Sequence, residues 1–279
     1  RELYDKVARL AQSMCEMGIV KNDRVVGFMP NIPETIIAML ATASIGAIWS
    51  SCSPDFGIKG VLDRFKQIEP KLIFTADGYW YNGKQIDCIS KVKEILADLP
   101  SIEKTVIIPF TGNVDVSIMQ NSIQWEDFLH RDSSEIEFEP LPFDHPLYIM
   151  YSSGTTGLPK SIVHSAGGTL IQHLKELQLH TDLAEDDKIF YFTTCGWMMW
   201  NWLVGALASG ATILLFDGFP MYKKDDLLFE FASEESVTLF GISAKYIDTL
   251  SNNGVIPKNN HNFSKLRTIC STGSPLSED

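Results

Sequence analysis

The chain opens with a helical pattern of apolar side chains. Apolar residues recur every three or four positions at Leu3, Val7, Leu10, Met14 and Met17. This spacing places them on one face of a helix, and the following Gly18 is a typical helix terminator. A short run rich in Val and Phe comes next, at 24–29, and predicts a buried strand. Helices and strands are therefore expected in alternation.

The same alternation continues to the end of the chain. Strands are predicted at 24–29, 47–50, 71–76, 104–108, 147–151, 161–165, 188–193, 211–216, 237–242 and 266–271. Helices are predicted between them at 33–45, 58–68, 86–99, 167–179, 198–209, 224–235 and 244–251. Such alternation is typical of right-handed βαβ units, whose parallel strands are covered by helices on both faces. The predicted fold class is α/β, with two stacked layers of βαβ units and mostly parallel sheets.

One segment, 131–146, interrupts this rhythm. It holds Pro140, Pro142 and Pro146 among aspartates and glutamates, a composition typical of a connector. We therefore predict two α/β subdomains, residues 1–139 and residues 140–279.

A loop rich in glycine and hydroxyl side chains follows the predicted strand 147–151. Its candidate ligand-binding residues are Ser152, Ser153, Gly154, Thr155, Thr156, Gly157 and Lys160. Glycines allow successive N–H groups to point at one anion, hydroxyls add donors, and a lysine adds a positive charge. The loop is therefore predicted to wrap the phosphates of a nucleotide. The bland alternative is a polar surface loop between two strands.

A Walker A loop is the rival phosphate-binding motif, and two observations argue against it. Pro159 stands where that motif has its second glycine, and proline has no N–H to offer a phosphate. A Walker loop also opens a helix, whereas 161–165 reads as a strand.

The stretch 151–160 resembles the signature phosphate loop of the adenylate-forming enzymes, a family of acyl-CoA synthetases, peptide-synthetase adenylation domains and luciferases. The similarity covers nearly the whole chain and is carried by 23–31, 46–49, 151–168, 196–201 and 210–216. The resemblance implies the large N-terminal domain of such an enzyme. The full enzyme would join a carboxylate to AMP with release of pyrophosphate, and then pass the acyl group to the thiol of CoA.

The same resemblance implies roles for the loop and for a later segment. Thr155 and Thr156 would contact phosphates together with Mg²⁺, and Lys160 would assist pyrophosphate. Gly273, Ser274 and Pro275 would lie beside the adenine, although an ordinary strand-to-helix turn explains that segment equally well on local sequence. ATP, Mg²⁺ and CoA are thus the expected cofactors.

The segment 196–201 looks most like the members that act on acetoacetate. Its acyl-pocket candidates are Trp197, Met198, Met199, Trp200 and Asn201. Two Met and two Trp side chains suit a small apolar acyl group, and the Asn201 amide could donate to a keto oxygen. The alternative is plain helix packing. Lys84, in the segment 78–84, is a candidate contact for CoA, or else a solvated loop lysine.

The resemblance also sets the alternatives. The family's magnesium, ribose, hinge and catalytic-lysine segments would follow Asp279, so we expect a fragment of an acetoacetate–CoA ligase that is inactive in isolation. Its catalytic residues are therefore unknown. A non-catalytic truncated isoform that binds nucleotide or a partner, and a ligase for another short-chain acid, remain open.

The charge and the cysteine content of the chain limit the classes of partner that it is expected to bind. The chain has 279 residues and a formal net charge of −12, which argues against nucleic acid or an anionic membrane as a partner. Its five cysteines form no C-x-x-C pair, which predicts free thiols in the cytosol and no metal site. The charge-free stretch 189–216 is long enough to span a membrane, but its polar interruptions favour a buried strand, helix and strand.

Overall fold

Helices and strands alternate along the chain in the order that the hydrophobic pattern predicts. The structure is a computed structural model, and it describes residues 1–112, 119–130, 135–152 and 157–275. The helices are α1 (Glu2–Glu16), α2 (Pro33–Ser44), α3 (Ile58–Phe65), α4 (Ile89–Ala97), α5 (Trp125–Phe128), α6 (Ala166–Leu174), α7 (Met198–Gly205), α8 (Leu227–Glu234) and α9 (Ala244–Asn252). A π-helical segment spans Lys175–His180, and short 3₁₀ helices span Ala206–Ser209 and Pro257–Asn259.

The strands form two main sheets and one hairpin. They are β1 (Arg24–Phe28), β2 (Ile48–Cys52), β3 (Leu72–Ala76), β4 (Gly78–Tyr81), β5 (Lys84–Asp87), β6 (Lys104–Ile108), β7 (Ser122–Gln124), β8 (Pro146–Ser152), β9 (Lys160–Ser165), β10 (Lys188–Tyr191), β11 (Thr212–Leu214), β12 (Leu239–Ser243) and β13 (Thr268–Thr272).

The first sheet has seven strands in the order β7-β6-β3-β1-β2-β8-β9. Every neighbouring pair is parallel except β8 and β9, which are antiparallel. The central strand β1 is buried along nearly its whole length, as expected for a strand covered on both faces. Its Gly27 is required by packing, because a Cβ there would lie 2.7 Å from the ring of Trp49.

The second sheet has four parallel strands in the order β11-β10-β12-β13. Apolar clusters that include Ile189 and Leu203, or Phe190 and Phe240, pack against it. The chain runs from β10 to β11 on one side and then returns to β12 on the other. The connections therefore change direction between β10 and β12, and ligands of open α/β sheets bind at such a point.

The chain divides into two compact units. Unit 1 comprises Arg1–Trp80 and Lys84–Thr169, and unit 2 comprises Tyr81–Gly83 and Leu170–Asp279. The boundary predicted from the sequence lies between 139 and 140. The structure instead keeps β8 and β9 in unit 1, because β8 pairs with β2 and β9 pairs with β8. The predicted α/β class with mostly parallel sheets is confirmed.

Local differences from the predicted elements have identifiable causes. The helix predicted at 86–99 begins only at Ile89, because β4 and β5 form a hairpin before it. Asn82 and Gly83 form the turn of this hairpin with φ angles of 48° and 74°. Asn-Gly is the residue pair that such a turn favours. The short β7 and α5 were also not predicted.

The charge-free stretch 189–216 contains β10, α7 and β11, which confirms the predicted strand, helix and strand. In the described ranges, no helix combines the length and apolar character needed to cross a membrane.

Candidate functional site

The predicted phosphate loop connects the two strands of an antiparallel hairpin. Ser152, the last residue of β8, stands directly opposite Lys160, the first residue of β9. Four of the predicted loop residues, Ser153, Gly154, Thr155 and Thr156, lie outside the described residues. Among the described residues, a Cβ at Gly157 would meet nothing within 4 Å, so packing against them does not require glycine there.

Lys160 is exposed, and its amine has no hydrogen-bond or ion-pair partner in the described part of the chain. β8 runs parallel to β2, so the loop emerges at the carboxyl edge of the first sheet. A flexible, accessible ammonium group at that edge is suited to an anionic ligand.

The base of the hairpin is tied to the end of α3 by residues that the sequence analysis missed. The hydroxyl of Tyr151 donates to the carbonyl oxygen of Arg64 at 3.0 Å. The Gln67 amide bonds to both neighbours of Lys160, namely to the carbonyl oxygen of Pro159 and to the hydroxyl of Ser161. No local motif announces these contacts, because they join residues far apart in sequence.

Burial disfavours the charged forms of three side chains of the hairpin, Tyr148, Tyr151 and His164. Burial raises the pKa of Tyr151, so its phenol keeps the proton that it donates to Arg64. Burial also raises the pKa of Tyr148 to about 12 and lowers the pKa of His164. The rings of Tyr148 and His164 lie 5.0 Å apart across the two strands. His164 is thus a packed strand residue.

The other two predicted segments lie at the carboxyl edge of the second sheet. α7 begins shortly after β10, and Gly273, Ser274 and Pro275 follow β13 directly. One strand, β12, separates β10 from β13, which puts their ends roughly 10 Å apart. This distance is of the order of a small acyl group plus part of a nucleotide. Gly273, Ser274 and Pro275 are all exposed, and the left-handed φ of Gly273, 96°, is one that glycine adopts without strain.

The five acyl-pocket candidates do not share one environment. Trp197 is 62% exposed and Met198 is 37% exposed, at the start of α7. Met199 packs against the core cluster that contains Leu203. Trp200 is fully buried. The structure therefore leaves two of the five side chains accessible at the first turn of the helix.

Asn201 is 4% exposed and lies one turn further along α7. Its Nδ2 donates to the carbonyl oxygen of Trp197 across 3.5 Å, at the upper limit for a hydrogen bond. A ligand oxygen that reached this turn would compete for that donor.

The orientation of α7 is held by a carboxylate from the π-helical segment. The indole nitrogen of Trp202 donates to Oε2 of Glu176 at 3.0 Å. Trp202 itself is buried, and its ring packs edge-on against Tyr191 at 6.0 Å. π-helical turns are frequent at functional sites, and here the turn presents Glu176 to α7.

Lys84, the CoA candidate, is exposed and begins β5 at the tip of the β4–β5 hairpin. Among the described residues, no group of three or more His, Cys, Asp or Glu side chains could hold a metal ion. The five cysteines are unbridged.

Comparisons with known proteins give a family for this chain. A family model described as "AMP-binding enzyme" matches residues 1–279. The chain is 53% identical to acetoacetyl-coenzyme A synthetase of Rhizobium meliloti (strain 1021), covering all of this chain and 43% of that protein. It is 51% identical to acetoacetyl-CoA synthetase of Gallus gallus, covering 99% of this chain and 42% of that protein.

A solved structure of a protein with the same name is also similar to this chain. Acetoacetyl-CoA synthetase from Streptomyces lividans superimposes with a TM-score of 0.94 at 45% identity, over 99% of this chain and 42% of that one. The chain thus spans less than half the length of the relatives that it matches. Because the family model covers every residue and the similarity is this high, the chain belongs to the AMP-binding enzyme family.

Proposed function

We propose that this chain is the phosphate-loop part of an acetoacetate–CoA ligase. The observation that carries the proposal is the β8–β9 hairpin, which presents Lys160 opposite Ser152 in a chain matched throughout by acetoacetyl-CoA synthetases. In the first step a carboxylate oxygen of acetoacetate attacks the α-phosphorus of ATP, and pyrophosphate leaves. In the second, the CoA sulfur attacks the acyl carbon, the thiol proton is lost, and AMP leaves.

The hairpin answers the main electrostatic difficulty of the first step. An anionic carboxylate must approach an anionic triphosphate, so positive charge and N–H donors have to be in place beforehand. Lys160 supplies a charge without a competing protein carboxylate among the described residues. Ser152 and Gly157, with Ser153, Gly154, Thr155 and Thr156, would supply hydroxyl and backbone donors. ATP would enter with Mg²⁺ as part of the substrate.

Selection of the acid is assigned to the start of α7. Trp197 and Met198 would contact the short apolar chain, with Met199 and Trp200 packed behind them. The Asn201 amide would donate to the 3-keto oxygen of acetoacetate in place of its long bond to Trp197. Acetate has no such oxygen, so it would gain no contact with this amide.

The remaining contacts complete the proposal. Gly273, Ser274 and Pro275 would line the adenine, and Lys84 would meet a phosphate of CoA. The net charge of −12 disfavours nucleic acid as a partner. Free cysteines fit a reducing compartment, and we place the enzyme in the cytosol, in lipid and fatty acid metabolism.

The test is acid-dependent exchange of pyrophosphate into ATP, measured on the longest native polypeptide that contains this chain. Exchange should be faster with acetoacetate than with acetate or propionate. Asn201→Ala should reduce that preference about tenfold, the equivalent of one hydrogen bond of about 1.4 kcal/mol, while exchange with acetate changes little. A preference for another acid would replace the substrate and keep the chemistry, and no exchange with any acid would refute the proposal.

A non-catalytic isoform is not favoured. The relatives that match this chain over its whole length are named as synthetases.

A further inference from the structure

The side chain of Gln67 makes three hydrogen bonds at the base of the phosphate hairpin. Its Nε2 donates to the carbonyl oxygen of Pro159 at 2.9 Å and to the carbonyl oxygen of Asp63 at 2.6 Å. Its Oε1 accepts from the hydroxyl of Ser161 at 3.0 Å. Pro159 and Ser161 are the two chain neighbours of Lys160. A single side-chain amide from outside the hairpin therefore holds the residues on both sides of Lys160.

Only one orientation of this amide satisfies all three partners. If its oxygen and nitrogen were exchanged, the oxygen would face two carbonyl oxygens, those of Pro159 and Asp63, and neither can donate. The hydroxyl of Ser161 can donate or accept, so it does not decide the orientation. Both amide hydrogens and the amide oxygen are used, and glutamate could not replace this set because its carboxylate has no N–H.

The segment that carries Gln67 is anchored in the core of unit 1. Gln67 follows α3, whose Val61 and Phe65 are fully buried against the first sheet. The guanidinium of Arg24 on β1 donates to the carbonyl oxygens of Ile68 and Glu69, just past Gln67. The segment that carries Gln67 is thus fixed at both ends.

The other strand of the hairpin, β8, is also held by the end of α3. The carbonyl oxygen of Arg64 accepts from the Tyr151 hydroxyl at 3.0 Å and from the backbone N–H of Gln67 at 3.1 Å. Tyr151 pairs with Ser161 across the hairpin. The last turn of α3 therefore sets the position of both strands where the loop begins and ends.

We propose that Gln67 is a positioning residue for the adenylation step, which directs the Lys160 ammonium toward the phosphates of ATP. This inference rests on the proposed function. Among the described residues β9 is an edge strand, and β8 is its one neighbour within the sheet. Gln67 adds a restraint from outside the sheet, through Pro159 and Ser161. Without it, the backbone at Pro159 and Ser161 is free to shift, and misplacement of a charge by about 1 Å can cost up to a hundredfold in rate.

The experiment is a double-mutant cycle of Gln67→Leu and Lys160→Ala in the longest native polypeptide, read by pyrophosphate exchange with acetoacetate. Gln67→Leu alone should lower kcat/KM for ATP about 10-fold to 100-fold, with KM for acetoacetate unchanged. In the Lys160→Ala background the same change should have almost no further effect, because the group that Gln67 positions is gone.

Two further variants separate positioning from simple stability. Gln12→Leu removes a comparable exposed amide, whose Nε2 donates to Glu16 at 3.0 Å on α1, and should leave exchange unchanged. Gln67→Glu should be as impaired as Gln67→Leu, since it cannot donate to Pro159. Trypsin supplies a readout that does not depend on activity, because cleavage after Lys160 should be faster in both Gln67 variants than in Gln12→Leu.

The outcomes are distinguishable. Coupling between Gln67 and Lys160, together with faster cleavage at Lys160, supports the inference. Normal exchange in Gln67→Leu, or an equal loss in the presence and absence of Lys160, overturns it and leaves the proposed function in place. No exchange in the unsubstituted protein with any acid overturns the proposed function and this inference with it.

Discussion

Arg267→Ala is expected to weaken the four-stranded sheet by about 2 kcal/mol, the cost of removing one charge-assisted hydrogen bond from a buried carboxylate. Arg267 lies just before β13, and its Nη2 donates to Oδ2 of Asp187 at 2.6 Å. Asp187 lies just before β10 and also accepts from the backbone N–H of Ala184 at 2.8 Å. The pair therefore ties together the two strands whose far ends carry the candidate acyl and adenine segments.

The magnitude follows from the burial of the two partners. Charge-assisted hydrogen bonds contribute about 1.5–3 kcal/mol, and breaking a fully buried ion pair costs about 3–5 kcal/mol. The Asp187 side chain is only 10% exposed, whereas that of Arg267 is 41% exposed. Water screens the exposed partner, so the lower range applies.

The pKa of Asp187 determines how this stabilisation changes with pH. Burial alone would raise the pKa of Asp187, but hydrogen bonds from Arg267, Ala184 and Thr238 outweigh it and hold the pKa below its ordinary value. A carboxyl whose pKa is lower in the folded state stabilises the fold above its unfolded pKa of about 4. That contribution is lost as the pH falls through the folded pKa. The difference between Arg267→Ala and the unsubstituted protein should therefore shrink below about pH 4.

Amide hydrogen exchange of β10, β12 and β13 in the full-length protein measures this free energy locally. Lys59→Ala is the matched control: its amine lies 2.6 Å from Asp63, but Lys59 is 85% exposed, and its loss should cost under about 0.5 kcal/mol. In an Asp187→Asn background, Arg267→Ala should lose most of its effect. An undiminished loss there would show that the arginine stem or its contacts with Asp182, and not the bond to Asp187, stabilise the sheet, and would refute the reasoning.

Two further substitutions test the packing behind α7. Gly241→Ala should destabilise β12 by about 3 kcal/mol, because its Cβ would lie 2.0 Å from the buried Tyr191 ring. The control Gly57→Ala, whose Cβ would meet nothing within 4 Å, should cost little. Equal amide exchange rates at β12 in the two variants would contradict this prediction. Trp202→Phe should cost about 1 kcal/mol through loss of its hydrogen bond, since Glu176 keeps its contacts with Gln172 and Lys175. Glu176→Gln, which still accepts, should cost less, and the opposite order in thermal unfolding would exclude this hydrogen bond as the cause.

Much of the fold could be predicted because buried parallel strands leave a strong signal. Strands such as 71–76 and 104–108 are nearly continuous apolar runs, and the helices between them have one apolar face. The hairpin at 78–87 also had a signal, since Asn82 and Gly83 separate two short strands. The helical pattern of the next segment extends back to residue 86 and obscures this signal.

The division of the chain was harder to predict, because it depends on long-range pairing. The connector 131–146 has the composition of a linker, yet β8, which begins at Pro146, joins the first sheet. The hydroxyl of Ser50 on β2 donates to the carbonyl oxygen of Ile149 on β8 at 2.8 Å, across 99 positions of sequence. Nothing in the local composition near Ile149 specifies that partner.

Gln67 shows the same limit within the site. Its contact with Pro159 spans 92 positions. An exposed glutamine after a helix has no distinguishing pattern, whereas the loop that it holds is conspicuous through its glycines and hydroxyls. The loop is thus easier to recognise in the sequence than the distant residue that contacts it.

A single topological rule accounts for where the candidate residues lie. In parallel sheets the segments that follow the strands share one edge, and ligands bind there. The loop before Lys160 follows β8, and the hairpin with Lys84 follows β3, at the carboxyl edge of the first sheet. Trp197 and Gly273 follow β10 and β13 at the carboxyl edge of the second. Each unit thus presents its candidate residues at the carboxyl ends of its own parallel strands. The sequence indicates these residues because each of them follows a recognisable strand.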